Sequence, residues 1–230
     1  MKPADALTET PEERKKRAKR ILGTLKRLYP RAGMMLRYSN NWELLVAVIL
    51  SAQCTDKKVN EVTATLFKKY RALNDYVNAN PREFEKDIYQ TGFFRSKTKS
   101  ILGAARLIKR KYKGKIPKTM NEMLEIPGVA RKTANIVLGN AYKIVEGIAV
   151  DTHVRRLSTL LGFTKETNTD KIERDLMELL PQSEWFKWTY RIIEHGRAIC
   201  IANRPKCDKC PLNRLCPSAF NFPQFKNIKS

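Results

Sequence analysis

The sequence predicts an all-α protein on three observations: helix-capping patterns recur along it, no strand-like alternation outlasts a few residues, and one internal segment is apolar on nearly every side. The first helix opens at Thr10-Pro11-Glu12-Glu13, where Thr10 can cap, Pro11 suits the first helical position and Glu13 can close a capping box; its pattern runs to about Tyr29. Asn80-Pro81 and Ser183 mark two further starts, and Thr119 to Glu122 repeats the capping box ahead of a short helix. The apolar segment, Trp42 to Gln53, predicts a central helix enclosed by others. Tyr38 to Asn41, Lys113 to Lys118 and Tyr142 to Gly147 read as connections, the last of them a candidate domain boundary.

At 230 residues the chain can build one large domain or two small ones around a proper hydrophobic core. Lys and Arg number 45 against 23 acidic residues, a formal net charge of +22, and an excess of that size points to a polyanionic partner. The longest apolar run, Leu44 to Leu50, is far short of the roughly 20 residues that span a bilayer, so no membrane partner is expected. The N-terminus lacks the apolar core of a signal peptide and its basic stretch follows three glutamates, which argues against a secretory or transit segment and leaves a cytoplasmic location as the expectation.

Four of the five cysteines, Cys200, Cys207, Cys210 and Cys216, fall in the spacing C-x6-C-x2-C-x5-C, flanked by Arg197, Arg204, Lys206 and Arg214. Four thiolates so close repel one another unless a soft metal centre neutralises them, which leaves zinc or an iron–sulfur cluster. Zinc sites usually pair two close knuckles. Only Cys207 and Cys210 form such a pair here, and the spacing leans to [4Fe–4S]. A zinc deaminase would need His-x-Glu, but His195 is followed by Gly196 and Arg197. Cys54 stands apart and reads as a small packed thiol.

The segment Leu124-Glu125-Ile126-Pro127-Gly128-Val129-Ala130-Arg131-Lys132-Thr133-Ala134 joins two helices through a tight turn. Unpaired N–H groups at the start of the second helix can hold a phosphate, and the placement of Arg131 and Lys132 in its first turn opposes the helix dipole, which suggests an anion or a chemical task there. Asp151, just ahead of Val154, Leu157 and Leu161, is a natural helix cap. A carboxylate held by backbone donors stays ionised, so capping and catalysis are compatible roles.

Taken together and in order, the hairpin with its lysine, Val150-Asp151-Thr152-His153 about twenty residues on, and the four-cysteine loop resemble the endonuclease III family of DNA glycosylase/AP lyases. Leu50-Ser51-Ala52-Gln53 followed by Thr55-Asp56, and Gly92-Phe93 before Ser96-Lys97, extend the resemblance over nearly the whole chain. It implies a six-helix barrel with a helix-hairpin-helix motif over residues 34–144, an iron–sulfur cluster domain built from both chain ends (1–33 and 145–230), and a cleft between them. It implies Lys132 as nucleophile, Asp151 as catalytic carboxylate, and a [4Fe–4S] cluster on Cys200, Cys207, Cys210 and Cys216. DNA contacts are implied for Gln53, which would fill the gap left by a flipped nucleotide, for Phe93, where the family usually carries a leucine wedge, for Gly128, Ala130 and Arg131 of the hairpin, and for His153. The family's hairpin usually reads Gly-Val-Gly; if its third position needs positive φ, Ala130 costs about 1 kcal/mol.

The implied activity is base excision repair by a monomer acting on double-stranded DNA that carries a damaged base or an abasic site. Oxidised pyrimidines would be excised and the strand cut by β-elimination through a lysine Schiff base. The lysine itself implies strand cleavage, since adenine-excising relatives usually carry serine there. Two other readings stay open: a mismatch thymine/uracil glycosylase of the same superfamily, and a non-catalytic, zinc-containing DNA-binding module.

Overall fold

The computed structural model describes residues 9–226, and among these there are twelve α-helices, two three-residue 3-10 turns and no strand. Two compact units divide the chain. One is continuous, Met34–Glu146; the other is split, Met1–Gly33 with Gly147–Ser230.

The chain starts in the split unit with α1 (Pro11–Leu28), where Thr10 Oγ1 accepts from the Glu13 N–H at 3.2 Å and the Thr10 N–H donates to Glu13 Oε2 at 2.8 Å. Its inner stripe of Ala18, Ile21, Leu22 and Leu25 is buried. The continuous unit then follows as α2 (Asn41–Leu50), α3 (Asp56–Lys69), α4 (Leu73–Asn78), α5 (Pro81–Ile88), α6 (Phe94–Lys111), α7 (Met120–Leu124) and α8 (Arg131–Tyr142), with a 3-10 turn at Tyr89–Thr91. Every residue of α2 from Glu43 to Leu50 is buried, because the other helices enclose it. Each fully buried Leu or Ile there contributes about 1.5–3 kcal/mol, which makes α2 the axis of this core. The sequence carries the helix on to Gln53, but it stops at Leu50, and residues 51–53 form a turn with Gln53 in the left-handed region. Asn80 caps α5 and Thr119 caps α7 through their side-chain oxygens, as their sequence patterns require.

Back in the split unit come α9 (Thr152–Leu160), α10 (Thr169–Leu179), α11 (Gln182–Ala198), a 3-10 turn at Cys207–Lys209 and α12 (Pro223–Lys226). Ser183 does not open α11. Pro181 occupies the N-cap with φ −66 and no side-chain hydrogen bond, so the ring's fixed φ rather than a hydroxyl starts the helix. Arg17 ties distant segments together: it donates twice to Glu9 at 2.7 Å, and to the carbonyls of Leu161 at 2.6 Å and Leu215 at 3.2 Å. Among the described residues no helix is long and apolar enough to cross a membrane.

Candidate functional site

In the continuous unit a groove of about 300 Å³ runs along one face of α6, where Phe93, Lys97, Ser100 and Gly128 meet Ala52 and Gln53. Phe93 forms the N-cap of α6 with φ 46, and Gln53 has φ 53. Left-handed backbone costs a non-glycine residue roughly 1 kcal/mol, so both turns need something to hold them. One group touches both. Lys97 is only 4% exposed, and its Nζ donates to the Leu50 carbonyl and to the Thr91 carbonyl, each at 2.8 Å. Burial holds the Lys97 pKa below the usual lysine value, opposed by the neighbouring Cys54 thiol. Cys54 itself is half-buried against the core. Phe93 and Gln53 point outward, with Phe93 63% exposed.

The hairpin sits on the same face of α6. Ile126-Pro127-Gly128-Val129 is closed by the Val129 N–H donating to the Ile126 carbonyl at 3.0 Å, with Gly128 at φ +81. Glycine is required there twice over: the backbone is left-handed, and a Cβ would lie 2.6 Å from Ser100 Cβ. Pro127 lies against Gly103, one turn further along α6. Ala130, by contrast, has φ −97 and ψ 172, an extended conformation open to any residue, so the expected strain is absent and alanine in place of the family's glycine at this third position leaves the turn unperturbed. As N-cap of α8 it offers no side-chain acceptor to the first N–H groups of that helix. Val129, Ala134, Val137 and Leu138 bury the inner side of the motif. Lys132, in the first turn of α8, is exposed and has no hydrogen-bond or ion-pair partner among the described residues, while Arg131 beside it is half-buried.

In the split unit Asp151 caps α9: its Oδ1 accepts from the Val154 N–H at 2.8 Å. The approach to it is pinned by the Ile148 N–H donating to Glu173 Oε1 and by Thr189 Oγ1 donating to the Ala149 carbonyl, both at 3.0 Å. His153 is half-buried, and a Cβ on Gly196 would lie 2.6 Å from its Nδ1; the glycine makes room for the ring.

The four clustered cysteines line one small cavity of about 30 Å³, walled also by Leu157, Leu161, His195 and Leu212. Burial pushes the Cys210 thiol up to about 11 and the Cys216 thiol to about 12, with the other cysteines adding to both, and burial raises Cys200 as well. Arg156 Nη1 donates to the Cys200 carbonyl at 2.7 Å and lies 3.7 Å from its sulfur. Burial, then Arg156, lowers His195 to about 4, so the ring is neutral at pH 7; Nδ1 lies 3.2 Å from the Tyr29 hydroxyl and Nε2 3.6 Å from Cys210 Sγ. A ring that accepts from Tyr29 and donates to the sulfur satisfies both contacts. No three His, Cys, Asp or Glu residues among those described are placed to hold a single metal ion.

Sequence reasoning gave no role to Lys97, Arg156, His195 or Tyr29. Each is a polar group whose partners are remote in sequence, and only Ser96-Lys97, as part of a recurring pattern, hinted at one of them.

Residues 46–182 match the HhH-GPD superfamily of base excision DNA repair proteins. The chain is 52% identical to endonuclease III of Synechocystis sp. over 206 residues, which is 90% of this chain and 94% of that protein. Two solved structures, a non-covalent endonuclease III–DNA complex and a trapped endonuclease III–DNA covalent intermediate, each superpose with a TM-score of 0.87 at 40% identity, covering 90% of this chain and 97% of theirs.

Proposed function

The chain belongs to the endonuclease III family, within the HhH-GPD superfamily of base excision DNA repair proteins, and from that premise we propose that it excises oxidised pyrimidines with Lys132 as nucleophile and then cuts the strand. It is a DNA glycosylase and AP lyase that binds damaged duplex DNA. The observation that carries the assignment of Lys132 is its setting: an exposed amine without a protein partner among the described residues, in the first turn of a helix whose N-cap residue, Ala130, offers no side-chain acceptor to the leading N–H groups. Those N–H groups suit a DNA phosphate.

The damaged nucleotide leaves the stack, which is easiest for a base already poorly stacked. The Lys132 amine forms a bond to the sugar C1′ as the bond from C1′ to the base breaks, and the base departs with the electron pair and takes up a proton. Asp151, held in its cap by the Val154 N–H, stabilises the positive charge that builds on the sugar and moves the proton released by the amine. The sugar ring opens to an imine, loss of a C2′ proton follows, and the C3′–O bond breaks on the 3′ side. Gln53 and Phe93 take the space vacated in the duplex, and Gly128, Ala130, Arg131 and His153 contact the DNA.

Cys200, Cys207, Cys210 and Cys216 hold a [4Fe–4S] cluster in this reading. The shared cavity, the all-sulfur donor set, and N–H groups of Arg156 and His195 beside two sulfurs support it. When bound, the cluster neutralises four thiolates and fixes the loop that carries Arg204, Lys206 and Lys209.

Borohydride added during reaction with DNA bearing thymine glycol tests the chemistry. The wild type should become covalently attached and the Lys132→Ala variant should not, although it still binds the DNA. Asp151→Asn keeps the shape of the cap and should slow base release by roughly 100-fold or more while cutting of a preformed abasic site falls less. Trapping of Lys132→Ala at the wild-type yield assigns the nucleophile to another amine. Parallel duplexes with uracil or a G·T mismatch separate oxidised-base from mismatch specificity.

A further inference from the structure

We infer that Lys97 is a positioning residue for entry into the duplex: one buried ammonium sets the two turns from which Gln53 and Phe93 project. The inference rests on the reading of Gln53 and Phe93 as the groups that occupy the duplex. Its ground is the geometry around Lys97. The Leu50 carbonyl closes α2 three residues before Gln53, and the Thr91 carbonyl ends the 3-10 turn two residues before Phe93. Both lie where helical turns run out of backbone N–H partners, and both accept from the same Nζ at 2.8 Å. The Lys97 backbone N–H donates to the Phe93 carbonyl at 3.0 Å, so the residue grips that turn at both of its ends.

Burying a lysine is unfavourable, and a core position on α6 would be filled more cheaply by an apolar side chain. What the ammonium supplies, and a methionine does not, is a fixed relation between two turns far apart in sequence. Each turn carries an exposed residue in left-handed backbone, a conformation that relaxes unless its surroundings hold it. With Lys97 in place, the amide of Gln53 and the ring of Phe93 are presented together at one groove before DNA arrives. Preorganisation of this kind removes an ordering cost from binding.

The test compares two substrates in single turnover. Excision of thymine glycol from duplex DNA needs the gap to be filled, whereas cleavage at an abasic site in a single-stranded oligonucleotide does not. Lys97→Met is expected to slow the duplex reaction by roughly tenfold or more. Cleavage of the single strand should stay within about twofold of the wild type, since no base pair has to be opened. A defect of folding alone lowers both rates alike. Lys97→Gln, which keeps a donor but reaches one bond less far, is read in the same assays and carries the test if Lys97→Met does not fold; its duplex loss should be the smaller. The Gln53→Ala/Phe93→Ala double variant completes the set, and adding Lys97→Met to it should cost nothing further on duplex DNA. Equal losses on both substrates, or no loss on the duplex, in a folded Lys97 variant overturns the inference. A double variant that works on duplex DNA at the wild-type rate overturns the reading of Gln53 and Phe93 themselves.

Discussion

The continuous unit and the split unit are nearly equal in length, yet they are held by different means. In the continuous unit 28 buried apolar residues pack around α2, and the polar groups inside serve short turns. In the split unit a separate core holds 16 among the described residues, and polar ties join segments more than a hundred residues apart: Arg17 to the Leu161 and Leu215 carbonyls, Lys187 to the Ala32 carbonyl at 2.7 Å, and Tyr29 to His195. The rest of its interior is the four-thiol cavity, closed by residues 199–222 with almost no regular structure. Apolar packing tolerates local change, whereas a unit held by a few directional ties and a four-cysteine loop is more exposed to the loss of any one of them.

The largest expected effect follows from that contrast. With the proposed cluster on the four cysteines, Cys210→Ser should open the split unit, raising amide exchange in α9 and α11 by roughly 100-fold or more, because a structural metal centre contributes its binding free energy to folding. The amides of α2 should not change. If they exchange in step with α11, the two units unfold as one and the comparison is wrong. In the continuous unit the sharpest sensitivity should lie at Gly128, where Gly128→Ala combines a left-handed φ with overlap on Ser100 and should lower stability to denaturant by about 2–4 kcal/mol.

Acid provides a finer separation. Burial pushes the Glu184 carboxyl up, but hydrogen bonds from Lys26 and Arg191 outweigh it and hold its pKa below the ordinary value. Since the folded pKa lies below the unfolded one, this contribution is present above about pH 4.5 and is lost as pH falls through the folded value. The ion pairs Lys58–Glu61 and Lys111–Glu125 of the continuous unit are far more exposed and are screened by salt. At high salt, acid should therefore loosen α11 before α3, and Glu184→Gln should remove about 1 kcal/mol of that pH dependence. The smallest effect belongs to Ala130→Gly. With φ −97 the position gains nothing from glycine, so restoring the family's glycine there should leave stability unchanged or lower it by up to about 1 kcal/mol.

What could be read in the sequence was local or periodic. Thr10, Asn80 and Thr119 announce helix starts because a capping oxygen sits a fixed number of residues from the N–H it serves. The all-round apolar run marks α2 because only an enclosed helix tolerates it, and the cysteine spacing brings four thiols to one cavity because it is short. Gln53, Phe93 and Gly128 were picked out by resemblance, and they line one groove. Lys97 looks in sequence like any lysine on a basic helix; its burial depends on two carbonyls from other turns. The conformation of Ala130 was equally out of reach, because the extended and left-handed options differ by about 1 kcal/mol and packing decides between them. Ser183 was a better capping residue than the proline that starts α11.

The division of one unit between the two ends of the chain also has a consequence during synthesis. The apolar stripe of α1 packs on α10 and α11, which begin at Thr169 and Gln182, some 140 residues downstream. At the ~5–20 residues per second of translation, Ile21, Leu22 and Leu25 wait on the order of ten seconds for their partners, while the whole continuous unit emerges and can fold. The lysines and arginines that crowd the rest of α1, from Lys15 to Arg27, flank that stripe with like charge and keep nascent chains from pairing through it, so residues suited to a phosphate backbone also protect the unfinished protein.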